Sequence, residues 1–302
     1  MTTTPNPVPR PFGRVLCAMV TPFTASASRE LDLKAARRLA AHLVDSGCDG
    51  LVLNGTTGES PTTTDEEKTA LVRAVAEEVG GRASVVAGVG SASTAHTVAL
   101  ARAAEQAGAD GLLVVTPYYS RPPQDDVEAH FRTVADATGL PVMLYDIPGR
   151  TGTRIEVETM LRLAEHERIV AVKDCAYDLL GSTKVMGRTS LAYYSGCEEL
   201  NLPLYAVGGA GCVSTVANVA PGAVRGVLDA YDAGAPGEAA RLNQLALPLV
   251  ELMMASGRPG AVTAKGLLGY PVRAPLRAGG AQELRRLRAA LSSLTRAPTG
   301  PA

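Results

Sequence analysis

Residues 169–175 read IVAVKDC. Four apolar residues, three of them β-branched, run straight into Lys173. A short apolar run of this kind, closed by charge, reads as a strand buried on both faces. Such a strand has no ordinary use for an ammonium, because taking one out of water is costly unless it is paired or neutralised. Strand alternation places Ile169, Ala171 and Lys173 on one side and Val170 and Val172 on the other. If the valines meet helices, Lys173 points into the centre of whatever these strands enclose.

Seven further runs of the same kind lie along the chain: VLCAMVTPF (15–23), GLVLNG (50–55), SVVAGVG (84–90), GLLVVTPYY (111–119), PVMLYDIPG (141–149), LAYYSG (191–196) and GCVSTVAN (211–218). Amphipathic stretches separate them. Leu39, Leu43 and Val44 form the apolar stripe of residues 33–46, and Thr64 with Glu67 fits a capping box that opens the next helix. Eight strands alternating with helices predict a (β/α)8 TIM barrel over residues 14–230. A helical region follows over 231–302, and residues 1–13, rich in proline and polar groups, read as a flexible tail. An open doubly wound sheet would want a dinucleotide turn. GVGSAS at Gly88 offers only part of one.

Composition narrows the function classes. A net charge of -1 gives no reason to expect nucleic acid or an anionic membrane as partner. The N-terminus lacks the basic and apolar regions of a secretory signal, and no run is long enough to span a membrane. Five scattered cysteines without a CxxC pair read as free thiols in a reducing cytoplasm. His42, His96, His130 and His166 fall in predicted helices without metal-ligand spacing, so no metal is expected.

In a barrel the active site forms where the strands end. There the sequence gathers Asn54–Glu59, Tyr118–Tyr119, Tyr145–Arg150, Lys173, Ser195–Glu198 and Ser214–Asn218. A desolvated Lys173 loses basicity and becomes a nucleophile suited to a Schiff base with a carbonyl substrate. The competing use is structural, an ammonium paired with a core carboxylate such as Glu59. NGTTGES (54–60) can turn backbone N–H groups and the hydroxyls of Thr56 and Thr57 onto a carboxylate, or it can be a capped loop. Tyr145 can relay protons and Arg150 can clamp a second carboxylate, or both can be rim residues.

Taken in order, GTTGES (55–60), VTPYYSRPPQ (115–124), LYDIPGRTG (144–152), VAVKD (170–174), AYYSG (192–196) and VSTVANV (213–219) resemble the dihydrodipicolinate synthase family, within the N-acetylneuraminate lyase superfamily. The resemblance covers residues 13–275. It implies a lyase of the class I aldolase type, condensing pyruvate with L-aspartate 4-semialdehyde to 4-hydroxy-tetrahydrodipicolinate in lysine and diaminopimelate biosynthesis. It implies Lys173 as the Schiff-base residue and Tyr145 as proton shuttle. Thr57 and Tyr119 become partners of Tyr145, with Tyr119 reaching in from a neighbouring subunit. Thr56 and Thr57 cradle the pyruvate carboxylate, Arg150 holds the aldehyde's carboxylate, and Gly196 and Val213 line the site. No metal or organic cofactor is implied, and the assembly is a homotetramer built as a dimer of dimers.

Two segments depart from the family pattern. SGCEE (195–199) stands where SGDD is usual, and RPGAVTAK (258–265) where NPIPVK is common, keeping only Lys265. Cys175 is expected to share the face of Lys173. Two other readings remain from the residues. One is a sibling aldolase acting on a 2-keto-3-deoxy sugar acid or a sialic acid, against which Arg150 argues. The other is a catalytically silent barrel with a binding role, against which Lys173, Tyr145, Thr57 and Tyr119 together argue.

Overall fold

The computed structural model describes residues 8–296. Eight parallel strands close into one barrel in sequence order. They are β1 (Val15–Ala18), β2 (Gly50–Leu53), β3 (Ser84–Gly88), β4 (Gly111–Val115), β5 (Val142–Asp146), β6 (Ile169–Asp174), β7 (Ala192–Ser195) and β8 (Gly211–Ser214). Helices α1 (Leu33–Asp45), α2 (Asp65–Val79), α3 (Thr94–Gln106) and α4 (Gln124–Asp136) surround it, followed by α5 (Pro148–Thr151), α6 (Val157–Leu163), α7 (Leu179–Met186), α8 (Asn201–Ala206) and α9 (Pro221–Asp232). Three more complete the chain: α10 (Pro236–Met254), α11 (Gly260–Leu268) and α12 (Ala281–Arg296). The expected (β/α)8 barrel with helices after it is the fold observed.

Each helix is shaped by its sequence. In α1, Ala35, Ala36, Leu39, Ala40 and Leu43 recur at helical spacing and are buried, while Asp32 caps the start by accepting from Ala35 N at 2.9 Å. The capping box of α2 is present in both halves: Glu67 N donates to Thr64 Oγ1 at 3.2 Å and Thr64 N to Glu67 Oε2 at 3.0 Å. His166 falls in the turn after α6 and not in a helix, because α6 ends at Leu163.

The core divides into two shells. The outer one lies between strands and helices, and the inner one fills the barrel with Leu16, Val52, Val86, Leu113, Met143, Ala171, Tyr194 and Val213. Residues 1–7 of the stretch read as a tail lie outside the described residues. Phe12, from the same stretch, is buried and closes the lower end of the barrel. Gly111 makes room for it, since a Cβ there would sit 2.5 Å from the Phe12 ring. Tyr194 Oη donates to Gly13 O at 3.0 Å, tying this plug to β7. Burying one Phe side chain contributes roughly 2–3 kcal/mol, so the barrel gains from taking up the end of the expected tail.

The alternation expected for IVAVKDC holds for its second half only. A register shift at Val142/Met143 on β5 pairs Val142 with Ile169 and Met143 with Ala171. Ile169 therefore packs in the outer shell, while Val170 borders the inner one and Val172 lies outside it. The bulge supplies the extra residue on β6 and leaves Ala171 and Lys173 facing inward.

Candidate active site

Lys173 is next to last in β6 and is 5 % exposed. Its Nζ lies 4.3 Å from the centroid of the Tyr145 ring, next to last in β5 and directly across the ladder. Burial pulls the Lys173 ammonium below its ordinary range, and the nearby Arg150 guanidinium adds to the fall. Burial likewise pushes the Tyr145 phenol well up, against the neighbouring Thr56 hydroxyl and the charge of Arg150. Burial thus disfavours the charged form of both groups, the ammonium of Lys173 and the phenolate of Tyr145.

The structural use weighed for Lys173 falls to another lysine. Glu59 forms its ion pair with Lys265 from α11, and both side chains are fully buried. Lys265 Nζ also donates to Pro271 O at 3.1 Å and lies 3.8 Å from the centroid of Phe23. Burial lowers the Lys265 ammonium to about 8, opposed by its bond to Glu59. Lys173 has no ion-pair partner among the described residues.

A cavity of about 840 Å³ opens above Lys173, lined by Thr56, Thr57, Tyr145, Arg150, Cys175, Gly196, Cys197 and Thr215. Tyr145, Thr56 and Arg150 also border a neighbouring cavity of about 450 Å³, lined further by Asn54, Lys68, His96 and Tyr118. Of the residues expected at the site, Lys173, Tyr145, Thr56, Thr57, Arg150 and Gly196 meet around the larger cavity. Gly196 is required there. A Cβ would lie 2.8 Å from Lys173 Cε and 2.4 Å from Cys175 Sγ. Val213 packs in the barrel interior with Tyr145 and Ala171, beneath the cavity wall.

The two threonines of the turn face different neighbours, and Thr57, expected beside Tyr145, is bonded elsewhere. Thr56 borders both cavities together with Tyr145, whereas Thr57 borders only the larger one. Thr57 shares a 3.1 Å bond with Thr215 of the loop after β8. Their side chains diverge because Thr56 and Thr57 are consecutive in a tight turn. Tyr119 stands apart from the Tyr145 cluster: it is 95 % exposed, with φ at +78°. A non-glycine residue in that left-handed region is uncommon, and here it holds a large aromatic ring away from its own chain.

Two supports were illegible in the sequence. Glu198, part of the unusual SGCEE, does not enter the cavity. It is buried under the loop after β8, accepting from Thr215 N at 2.5 Å, Val216 N at 2.9 Å and Asn201 Nδ2 at 3.0 Å. Burial raises this carboxyl despite those donors. Through them it fixes Thr215 and hence Thr57. The second support is the C-terminal region, which supplies Leu247, Val250, Met254 and Gly260 to one wall. Arg273 N donates to Glu59 Oε2 at 2.9 Å, and its guanidinium reaches Glu67, Arg29 O and Thr62 O. Lys265 and Arg273 thus pin the loop that carries Thr56 and Thr57. Only an alignment in space brings these residues to it, since some two hundred positions of chain intervene.

Comparison with known proteins gives the family. The profile of the dihydrodipicolinate synthetase family matches residues 11–294. The chain is 69% identical over 290 residues to 4-hydroxy-tetrahydrodipicolinate synthase 1 of Streptomyces coelicolor, covering 94% of each chain. It is 57% identical over 286 residues to 4-hydroxy-tetrahydrodipicolinate synthase of Acidothermus cellulolyticus, covering 93% of this chain and 92% of that one. Among solved structures, dihydrodipicolinate synthase from Cyanidioschyzon merolae with lysine bound superposes with a TM-score of 0.90 at 38% identity, covering 95% of this chain and 99% of that one. With this likeness running through barrel, site and C-terminal helices alike, the chain belongs to the dihydrodipicolinate synthetase family.

Proposed function

We propose that this chain is a lyase that condenses pyruvate with L-aspartate 4-semialdehyde to 4-hydroxy-tetrahydrodipicolinate, in lysine and diaminopimelate biosynthesis, through a Schiff base on Lys173. The observation that carries the reading is the buried, unpaired Lys173 amine beside Tyr145 at the floor of an open cavity. The neutral amine attacks the keto carbon of pyruvate, and loss of water gives an iminium. The iminium draws electrons from the adjacent methyl, which yields a proton and becomes a nucleophilic enamine carbon. That carbon attacks the aldehyde. The product's own amine then displaces Lys173 as the ring closes.

Tyr145 supplies and removes the protons of these steps, with Thr56 beside it on the cavity wall. Hydroxyls and N–H groups of the Thr56–Thr57 turn receive the pyruvate carboxylate. Arg150, on the exposed rim, receives the carboxylate of the aldehyde. The outward Tyr119 completes a neighbouring subunit's site, as its exposure and backbone support, so the working unit is a homo-oligomer, a tetramer of two tight dimers. Among the described residues no helix is long and apolar enough to cross a membrane, and the reading places the enzyme in the cytoplasm.

Borohydride added with pyruvate should attach a reduced pyruvyl group to Lys173, and Lys173→Ala should abolish it. Pyruvate with aspartate semialdehyde should turn over, and pyruvate with N-acetylmannosamine should not. An adduct unchanged in Lys173→Ala, or the opposite aldehyde preference, overturns the reading.

A further inference from the structure

Two thiols face the cavity, and the chemistry proposed above uses neither. Cys175 follows Lys173 by two residues, and Cys197 follows Gly196 just beyond β7. β6 and β7 are parallel neighbours that pair Asp174 with Ser195, and Gly196 N donates to Asp174 O at 2.9 Å. One step further along this pairing sets Cys175 beside Gly196, with Cys197 the next residue. Strands lie about 4.8 Å apart and rise about 3.3 Å per residue, which puts such diagonal neighbours about 6 Å apart at Cα, inside the roughly 4.4–6.8 Å that a disulfide spans.

The side chains fulfil what the backbone allows. Cys175 Sγ lies 2.4 Å from where a Cβ on Gly196 would stand, so it hangs over the residue that precedes Cys197. Gly196 leaves the space in which Cys175 Sγ sits, and both cysteines line the cavity wall. The proximity of the two sulfurs pushes Cys175 up and Cys197 down, the fall at Cys197 outweighing the burial that opposes it. Cys197 is therefore the readier thiolate and Cys175 the partner held against it. Cys17 and Cys48 are also neighbours, but they lie in the outer shell of the core, away from the cavity.

We propose that Cys175 and Cys197 are a modification site for peroxides, forming a reversible disulfide across the ends of β6 and β7 that shuts down imine formation at Lys173. The Cys197 thiolate attacks one oxygen of hydrogen peroxide and breaks the O–O bond, giving a sulfenic acid and, after protonation, water. Cys175 sulfur then attacks the sulfenic sulfur, loses its proton and expels a second water. Two thiols lose two hydrogens, and one peroxide becomes two waters. Drawing the two sulfurs together pulls Cys175 across the gap over Gly196, against the stem of Lys173. The effect on imine formation rests on the role proposed for Lys173; the disulfide does not.

The test treats the full-length protein with graded hydrogen peroxide, alkylates remaining thiols, and maps the peptides. A Cys175–Cys197 cross-linked peptide should form before any Cys17–Cys48 one. Borohydride-trapped pyruvate adduct should fall in proportion to the cross-linked fraction, and dithiothreitol should restore both. In Cys197→Ser, peroxide should no longer lower whatever adduct that variant forms. Absence of the cross-linked peptide, earlier reaction at Cys17–Cys48, or a cross-linked protein that still forms full adduct overturns the proposal. Because the cross-link is read by mass in the wild-type chain, a failure of Lys173 to form any adduct is distinguishable from a failure of the thiols to join.

Discussion

Asp146 ends β5 beside Tyr145 but on the opposite face, away from the cavity. It is buried, pairs in register with Asp174 on β6, and accepts one bond, from Ile155 N at 3.3 Å. Burial raises its carboxyl from 3.8 to about 7, with the Asp174 charge adding to the rise and the Ile155 N–H and Arg154 opposing it. The sign of the stability effect follows. Below the unfolded value both states hold the proton, so nothing is gained or lost. Between the two values the folded state keeps a proton the unfolded chain has released, and stability falls as pH rises. Above the folded value the loss is complete. A gap of about 3 pH units at 1.36 kcal/mol each bounds it near 4 kcal/mol.

Asp146→Asn removes the titration while keeping an oxygen for Ile155 N, and its amide faces Asp174 as a donor. The variant should gain about 2–4 kcal/mol over the parent at pH 8, where the parent's carboxylate is buried and charged, and progressively less as the pH is lowered through the window. Urea unfolding of both proteins at pH 5 and pH 8 measures the two differences. Equal differences at the two pH values, or a variant weaker than the parent at pH 8, would refute the buried-carboxyl reasoning. Pyruvate adduct formation should be unchanged, since the side chain points away from Lys173.

Three more outcomes follow from the site. Arg150→Ala should cut kcat/KM for the semialdehyde by about 2–4 kcal/mol of transition-state binding while sparing borohydride-trapped pyruvate; equal damage to both makes Arg150 a structural residue. Lys265→Met leaves Glu59 buried without its cation and should cost about 3–5 kcal/mol in denaturant unfolding, with Glu59→Gln in the same chain restoring part of it. No loss in the single variant would mean that Arg273 alone suffices. Tyr119→Phe and Lys173→Ala, each impaired alone, should recover activity when unfolded together and co-assembled; mixed oligomers without recovery would place every working residue within one subunit.

The strands were legible because they are short, buried and mostly apolar runs closed by polar or glycine residues, and their spacing carries the barrel with it. Lys173 and Tyr145 were legible for the same reason: each is a polar group where the pattern calls for an apolar one. The failures are of two kinds. Whether Thr56 or Thr57 meets Tyr145 depends on the twist of one tight turn, which neighbouring identical residues cannot reveal. The bulge opposite Met143 turned Ile169 outward, and nothing in a run of apolar residues marks where a register slips. Glu198 looked like a cavity residue because it follows a strand end, yet its partners are the N–H groups of another loop. Phe12 was hidden by its proline-rich surroundings, which describe the path of the chain rather than where one side chain ends up.

The clamp of Lys265 and Arg273 on the loop after β2 has a consequence for the order in which the enzyme matures on the ribosome. Strands and surrounding helices can pair as they emerge, each against the one before. The turn bearing Thr56 and Thr57 is made early but receives its fastening from residues made near the end. Leu249, Met253, Ala264 and Leu287 of the same late region also belong to the outer shell of the core, so fastening the turn and completing that shell come together. Order in the turn is therefore among the last things the chain acquires, and a protein shortened to its barrel would lose both the fastening of its site and part of its core.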